Sequence, residues 1–163
     1  MRHAIAAIGM ALAAPAAIAQ TGGLPQTVPL PPPGPYDQET EHNRAVIEQF
    51  ARLFYIEGKV REAFETYVRE DYIQHNPRAA DGREAAIEML QGLLAGSTDR
   101  QFEIQRIIVD GPFAVVHSWS RADAEDRGHA VVDIFRIEDG LLAEHWDVIQ
   151  PVPEEAANDH PMF

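Results

Sequence analysis

Four side chains that could carry acid–base chemistry lie in residues 128–150 of the sequence: His129, Asp133, His145 and Asp147. The stretch consists of two runs, 128–137 and 141–150, which are both rich in β-branched and aromatic residues. Between the runs, Glu138-Asp139-Gly140 places a glycine where a hairpin turn needs a positive φ. The pattern predicts two β-strands joined by a tight turn, with carboxylates and imidazoles along them.

The length of this turn decides which of the four groups meet. In a three-residue loop Ile137 lies opposite Leu141, and the pairing continues as Phe135/Ala143, Asp133/His145 and Val131/Asp147. On that register His129, Asp133, His145 and Asp147 share one face with Phe135. A two-residue Asp-Gly loop would pair Asp133 with Trp146, because a slip of one residue inverts a strand. We favour the first register, since the second leaves Asp133 beside Glu144 without an adjacent base.

The two aspartates are candidates for proton transfer. A carboxylate in an apolar pocket is removed from water, so it can take a proton from carbon next to a carbonyl and return it elsewhere. Asp147, between Trp146 and Val148, suits this role; the alternative is a solvated or arginine-paired position at a strand end. Asp133 stands alone in a β-branched run, which favours a hydrogen-bonded carboxylate that is either catalytic or orienting.

The histidines and aromatic residues supply the rest of the predicted site. His145 could polarise a substrate oxygen or hold Asp133, because a neutral imidazole both donates and accepts; an exposed position on the outer face is the alternative. His117 also fits a core position, and His129 a rim or solvent position. We predict catalysis by Asp147, His145 and Asp133, and substrate contacts from His75, Tyr72, His117, Phe135, Trp146 and His129.

The spacing of potential ligands predicts no metal and no cofactor. No His-x-His or His-Glu-x-x-His sequence occurs, although histidines on neighbouring strands could still converge: His75, His117, His129 and His145. The chain has no cysteine, which excludes thiol chemistry, Cys-ligated zinc and iron–sulfur clusters. Ser97, Ser118 and Ser120 lack the surroundings of a nucleophile elbow, and glycine-rich phosphate loops are absent.

The first nineteen residues read as a secretory signal peptide. A short basic start is followed by an apolar run and by Ala17-Ile18-Ala19, a small-x-small site, which predicts cleavage between Ala19 and Gln20 and a periplasmic or secreted protein. An uncleaved apolar tail is the alternative. Residues 20–36 are rich in Pro and Gly, which predicts an extended linker; a Pro-rich peptide ligand is the alternative. One domain, 37–153, and a flexible acidic tail, 154–163, complete the chain.

The charge of the chain argues against two classes of partner. Thirteen basic residues against twenty-six acidic ones give a net charge of −13. An acidic surface repels both phosphate backbones and anionic lipid. We therefore expect no nucleic acid partner and no membrane partner after signal cleavage.

The order of periodic patterns predicts the fold class. Apolar residues at helical spacing indicate helices over 38–58, 60–67 and 81–96, with Asp81 as the cap of the third. Alternating patterns over 101–109, 113–121, 128–137 and 141–150 indicate four strands in a row, and Tyr72-Ile73-Gln74-His75 before Asn76-Pro77 is extended as well. Helices followed by a meander of strands predict an α+β domain with helices on one face of a curved antiparallel sheet.

Three patches carry a resemblance to a known family. Tyr72-Ile73-Gln74-His75-Asn76-Pro77, Asp81-Gly82-Arg83-Glu84-Ala85, and Asp133 to Arg136 leading into 139–147 resemble the SnoaL-like, polyketide-cyclase-like branch of the nuclear-transport-factor-like superfamily. The resemblance implies a cone-shaped barrel, in which the sheet wraps around the N-terminal helices and encloses a deep, mostly apolar pocket. It also implies, for Asp147, the general acid/base role of an intramolecular aldol closure without metal or cofactor.

The residues and the resemblance together predict a cofactor-independent acid/base enzyme of aldol cyclase, isomerase or lyase type. Its ligand is a small, largely apolar carbonyl or hydroxyl compound. The alternative is a non-catalytic ligand-binding or accessory protein, with which export is also compatible. Either protein could form a homodimer through the outer face of the sheet.

Overall fold

A computed structural model describes residues 38–96 and 99–163. The predicted signal peptide and the predicted linker, residues 1–36, lie outside the described residues.

The described chain has three α-helices, as the periodicity predicts, and one strand of the sheet lies between the second and the third. The helices are α1, Gln38–Ala51, α2, Val60–Tyr67, and α3, Arg83–Ala95. The carboxylate of Asp81 does not cap α3, because it accepts a hydrogen bond from the Gln74 backbone N–H at 2.8 Å instead. In the described part of the chain, no helix has both the length and the apolar character needed to cross a bilayer.

Helix α1 continues into a π-helical segment, Arg52–Ile56. Its signature is the bond from the Glu57 N–H to the Arg52 carbonyl at 3.0 Å, which spans five residues instead of four. The wider turn brings three consecutive side chains to the protein interior: Leu53, Phe54 and Tyr55. In this way the end of α1 delivers Tyr55 to the inner face of the sheet.

The sheet has five strands in the order β1-β5-β4-β3-β2. The strands are β1, Val68–Gln74, β2, Gln101–Asp110, β3, Phe113–Arg121, β4, His129–Glu138, and β5, Leu141–Pro151. β2 to β5 form the predicted antiparallel meander, and β1 adds a parallel edge strand beside β5, so the sheet is mixed. The sheet curls without closing, and the predicted α+β cone is confirmed.

An aromatic cluster fills the space between the helices and the inner face of the sheet. Phe50 is fully buried at its centre, with ring centroids 5.4 Å from Phe64 and 5.6 Å from Phe135. Burying a large aromatic side chain stabilises a fold by about 1.5–3 kcal/mol relative to leaving it exposed. The region around Phe50 is therefore packed, and space for a ligand has to lie elsewhere.

The β4–β5 hairpin corrects the predicted register. Its turn is the two-residue Asp139-Gly140, with φ of 52° and 76°, as a type I′ turn requires, and Ile137 lies opposite Leu142. The register then shifts by one residue at Ala143, so that Arg136 pairs with Glu144. Beyond this β-bulge, Phe135 pairs with His145 and Asp133 with Asp147. Both predicted pairings were wrong for Asp133, but turn and bulge together return the side chains to the predicted faces.

The outer face of the sheet carries apolar side chains that remain accessible. Trp146, Val132 and Ile134 are partly buried, and Val148 is 62% exposed. Homodimer formation through this face stays a prediction. The C-terminal residues 154–163, predicted to be a flexible tail, form no helix or strand, and the ring of Phe163 stacks on Trp119 at 5.1 Å.

Two glycine substitutions should have opposite effects on stability. Gly128 has a φ of +77°, and a Cβ there would clash with the Ser120 carbonyl oxygen and lie 2.7 Å from Trp119 Nε1, whereas a Cβ at Gly92 in α3 would meet nothing within 4 Å. We expect G128A to lower the free energy of unfolding by about 2 kcal/mol or more, and G92A to raise it by about 0.5–1 kcal/mol. Urea denaturation measures both, and equal effects would contradict the turn geometry.

Candidate active site

The centre of the site is a pair of facing carboxylates. Asp133 of β4 and Asp147 of β5 lie directly opposite each other on the inner face. Like charges in this position repel, and the neighbouring His145 offsets the repulsion, with its Nε2 3.1 Å from Asp133 Oδ1. One ligand atom from each of the three side chains lies within 4.8 Å of the others.

The end of α1 supplies a donor to the buried member of this pair. The Tyr55 hydroxyl donates a hydrogen bond to Asp133 Oδ2 at 2.7 Å, so both oxygens of Asp133 have partners. Burial raises the pKa of Tyr55 well above its ordinary value, and the negative charge of Asp133 raises it further. Tyr55 therefore stays protonated and remains a donor.

Strand β1 fixes the protonation of the imidazole. Gln74 Oε1 lies 2.9 Å from His145 Nδ1, and because an amide oxygen only accepts, Nδ1 carries a proton. The 3.1 Å bond between His145 Nε2 and Asp133 Oδ1 also needs one proton between its atoms. His145 and Asp133 thus share a proton that can be written on either partner.

Asn76, two residues after Gln74, orients the carboxylate of Asp147. Asn76 Nδ2 donates to Asp147 Oδ2 at 2.6 Å, while Asn76 Oδ1 accepts from the Arg78 N–H at 2.8 Å, which fixes the amide. Among the described residues, the other oxygen of Asp147 has no hydrogen-bond partner. Asp147 therefore keeps one oxygen for exchange of a proton with a ligand.

Aromatic rings surround the imidazole of His145. Phe135 stacks on it at 5.0 Å, and Tyr72 lies nearly parallel to it at 6.3 Å. Burial raises the pKa of Tyr72 well above its ordinary value, with further contributions from the charges of Asp133 and Asp147. The surroundings of the polar cluster are apolar, and a second tyrosine beside it stays protonated.

The inner face opens to solvent on the Asp147 side of the cluster. One pair further along the hairpin, Val131 is buried but its partner Ile149 is 53% exposed. On the other side, Phe135 joins the packed aromatic cluster around Phe50. The three side chains lie at the boundary between core and solvent, where a small molecule could reach Asp147.

A family comparison agrees with this geometry. The SnoaL-like domain matches residues 47–145, more than half of the chain and nearly the whole cone. The chain belongs to the SnoaL-like domain family. None of the curated proteins compared with this sequence matches it.

Solved structures place the SnoaL-like domain in a wider fold group. An NTF-2 like protein of unknown function from Burkholderia xenovorans is 14% identical with a TM-score of 0.61, covering 74% of this chain and 92% of that one. A candidate ketosteroid isomerase from Kribbella flavida is 22% identical with a TM-score of 0.60, covering 74% and 86%. A candidate SnoaL-like polyketide cyclase from Jannaschia is 18% identical with a TM-score of 0.58, covering 72% and 91%. These likenesses show the fold.

Five of the nine predicted site residues come together in the SnoaL-like domain: Asp133, Asp147, His145, Tyr72 and Phe135. His75 and Trp146 stack on each other at 4.3 Å on the outer face, where His75 also contacts Glu144 at 3.0 Å. The hydrogen bond from His75, followed by that from Arg136, lowers the pKa of Glu144. His117 lies opposite Val132 on the same outer face, and His129 is exposed at the start of β4. Strand alternation separates His75, Trp146 and His117 from the cluster, whereas His129 lies on the same face as Asp133 but at the far end of β4.

Three residues that touch the cluster were missed in the sequence: Tyr55, Gln74 and Asn76. Two of them, Gln74 and Asn76, could have been predicted, because alternation along a strand through Tyr72 places both on the same face as Tyr72. Tyr55 gave no such signal, since the α-helical pattern does not reveal the π-helical segment that turns it inward.

The same cluster is the group in residues 38–96 and 99–163 that could hold a metal ion. One imidazole and two carboxylates offer a plausible ligand set. An ion would have to replace the hydrogen bond between His145 Nε2 and Asp133 Oδ1. The histidines considered from the sequence do not converge, because His75 and His117 lie on the opposite face from His145.

The raised pKa values of the two buried tyrosines, Tyr55 and Tyr72, predict that the protein loses stability at alkaline pH. Both hydroxyls have a pKa above the usual value of about 10 in the folded chain, so the folded state keeps protons that the unfolded state releases. The stability they contribute is complete below about pH 10 and falls as the pH rises above it. Native and urea-unfolded titrations of tyrosinate absorbance should differ, and Y55F and Y72F should each remove one late-titrating group. A native titration that overlays the unfolded one would contradict this.

Proposed function

We propose that this SnoaL-like domain is a cofactor-independent acid/base enzyme that moves a proton at carbon next to a carbonyl. The observation that carries the proposal is the half-satisfied carboxylate of Asp147 beside the proton-sharing pair of His145 and Asp133. Further support comes from the family, and from the names of the structural relatives, which include a candidate cyclase and a candidate isomerase.

The first step is removal of the proton. The free oxygen of Asp147 takes it from the α-carbon, the C–H electron pair forms the enolate double bond, and the carbonyl oxygen gains negative charge. Positioned donors stabilise such an oxyanion, and a general base of this kind contributes about 10²–10⁴-fold. Tyr72, on the same inner face, is the proposed donor, because both ring nitrogens of His145 are already bonded to Gln74 and Asp133.

The second step depends on the compound bound. The protonated Asp147 can return its proton to another carbon, which is isomerisation, or the enolate carbon can attack a second carbonyl, which closes a ring. In the second case the proton of Asp147 goes to the new alkoxide. Both routes leave Asp147, His145 and Asp133 in their starting states, and neither consumes a cofactor.

The substrate expected from the site is small and largely apolar. Phe135 and Tyr72 flank the imidazole, and Ile149 is exposed beside the acid on the open side. Such walls favour an apolar skeleton, and the polar cluster favours a single carbonyl or hydroxyl group.

Exchange of α-hydrogens for deuterium tests the proposal without knowledge of the natural substrate. We expect the protein to accelerate deuterium incorporation into 2-tetralone, an apolar ketone, followed by NMR in D₂O. D147N should reduce the enzymatic rate by about 100-fold or more, because the amide cannot accept the proton. D110N is the matched control, since it makes the same change on an exposed residue at the end of β2 and should leave the rate unchanged.

Thermal unfolding of the two variants completes this test. D147N should unfold within a few degrees of the parent protein, since Asp147 is only partly buried. Parent-like exchange by a folded D147N variant would refute the role of Asp147.

We also propose that the enzyme acts after export. The support is the basic start, the apolar run and the small residues Ala17 and Ala19 in the sequence. Expression in a Gram-negative host should yield periplasmic protein whose N-terminus is Gln20, measured by intact mass. A cytoplasmic product that retains residues 1–19 would contradict export.

A further inference from the structure

A cleft lies beside the cluster and shares a wall with it. It has a volume of about 330 Å³, within the range of small-molecule sites, and Tyr55, Phe102, Trp119, Arg100 and Glu103 line it. Tyr55 belongs to both places, because its ring lines the cleft while its hydroxyl donates to Asp133. The cleft is not lined by the three acid–base side chains, so it is a separate site.

The aromatic walls of this cleft are held in place before any ligand arrives. The Phe102 ring meets the Tyr55 ring edge-to-face at 5.7 Å. Trp119 donates its indole N–H to the Arg127 carbonyl at 2.8 Å and stacks with Phe163. Fixed aromatic walls lower the ordering cost of binding and suit a flat ring.

A second layer of contacts fixes Trp119 further. The guanidinium carbon of Arg121 lies 4.4 Å from the Trp119 ring centroid, and Gln101 Oε1 accepts two hydrogen bonds from Arg121. Beside these walls, Ile56 is 69% exposed where it lines the cleft. The apolar part of the cleft is therefore both rigid and open to a ligand.

The charged part of the cleft contains a cation, Arg100, whose charge also acts on Asp126. Arg100 lines the cleft, and its Nε is buried without a hydrogen-bond partner among the described residues. A buried N–H without an acceptor is costly, and a guanidinium pairs best with a carboxylate or similar anion. Glu103 also lines the cleft, but its Oε1 accepts a hydrogen bond from Gln105. Among the residues that line the cleft, Arg100 is the one cation, and it is therefore the group that attracts an anion.

We propose that this cleft binds a flat aromatic compound that carries one carboxylate. The ring lies against Phe102, Tyr55 and Trp119, and the carboxylate accepts hydrogen bonds from Arg100. This site is distinct from the Asp147 centre, and binding there does not depend on the proposed function.

Two probes of the same shape test the proposal by calorimetry. 2-Naphthoate carries the ring and the carboxylate, and 2-naphthylmethanol carries the ring alone. We expect naphthoate to bind about 10-fold tighter or more, because a charge-assisted hydrogen bond is worth about 1.5–3 kcal/mol. Equal affinities for the two probes, or no binding of naphthoate at millimolar concentration, would overturn the proposal.

Variants separate the contributions of charge and ring. R100Q should abolish the preference for naphthoate and leave the affinity for naphthylmethanol unchanged, whereas W119L should weaken both probes. R106Q, the same change at an exposed arginine of β2, is the control and should alter neither. A folded R100Q variant that keeps the full preference would overturn the role of Arg100; the comparison of the two probes on the parent protein decides the matter if R100Q does not fold.

The D147N variant separates this proposal from the enzymatic one. It should lose deuterium exchange on 2-tetralone and still bind naphthoate with the affinity of the parent protein. Loss of naphthoate binding in a folded D147N variant would show that the probe occupies the Asp147 centre, and would overturn the assignment of a second site.

Discussion

Two carboxylates face each other across adjacent strands, and the rest of the site offsets the repulsion between them. Asp133 and Asp147 occupy directly opposed positions, where like charges repel. Every neighbouring polar group compensates: Tyr55 and Asn76 each donate to one carboxylate, and His145 shares a proton with Asp133. The hydrogen-bond partners give the two aspartates different roles. Both oxygens of Asp133 are bonded, whereas Asp147 keeps one free oxygen.

Three distant parts of the chain have to meet for this compensation to work. Tyr55 comes from the π-helical end of α1, Gln74 and Asn76 from β1 and the residues after it, and both acids from the final hairpin. The parallel docking of β1 on β5 is the decisive contact, since it pairs Gln74 with His145. The helical end and the edge strand are thus held in register by the same cluster that they support.

The sequence was sufficient for the three α-helices, for the four strands of the meander and for the faces of the hairpin. Alternation of apolar residues predicted all four strands of the meander, and placed Asp133, His145 and Asp147 on one face with Phe135. It could not predict the pairing, because a type I′ turn and a bulge at Ala143 each shift the register by one residue and their effects on facing cancel. The prediction was right about the faces although wrong about the neighbours.

The remaining errors have equally local causes. His75 and Trp146 were selected for their chemistry, although alternation from Tyr72 and from Asp147 puts both on the other face. Tyr55 could not be found, because an α-helical pattern does not reveal the π-helical segment that buries three consecutive residues. Patterns along one element therefore predict which side a residue takes, and contacts between elements decide which residues meet.

The bulge at Ala143 has a consequence for how this hairpin can evolve. The two-residue turn and the bulge each shift the register by one residue, and their effects on facing cancel. Loss of either one alone would turn every side chain of β5 beyond Ala143 to the opposite face of the sheet. Asp147 would then point away from Asp133, and Trp146 would enter the core in its place. Insertions and deletions between Ile137 and His145 are therefore tolerated only in combinations that change the residue count by an even number.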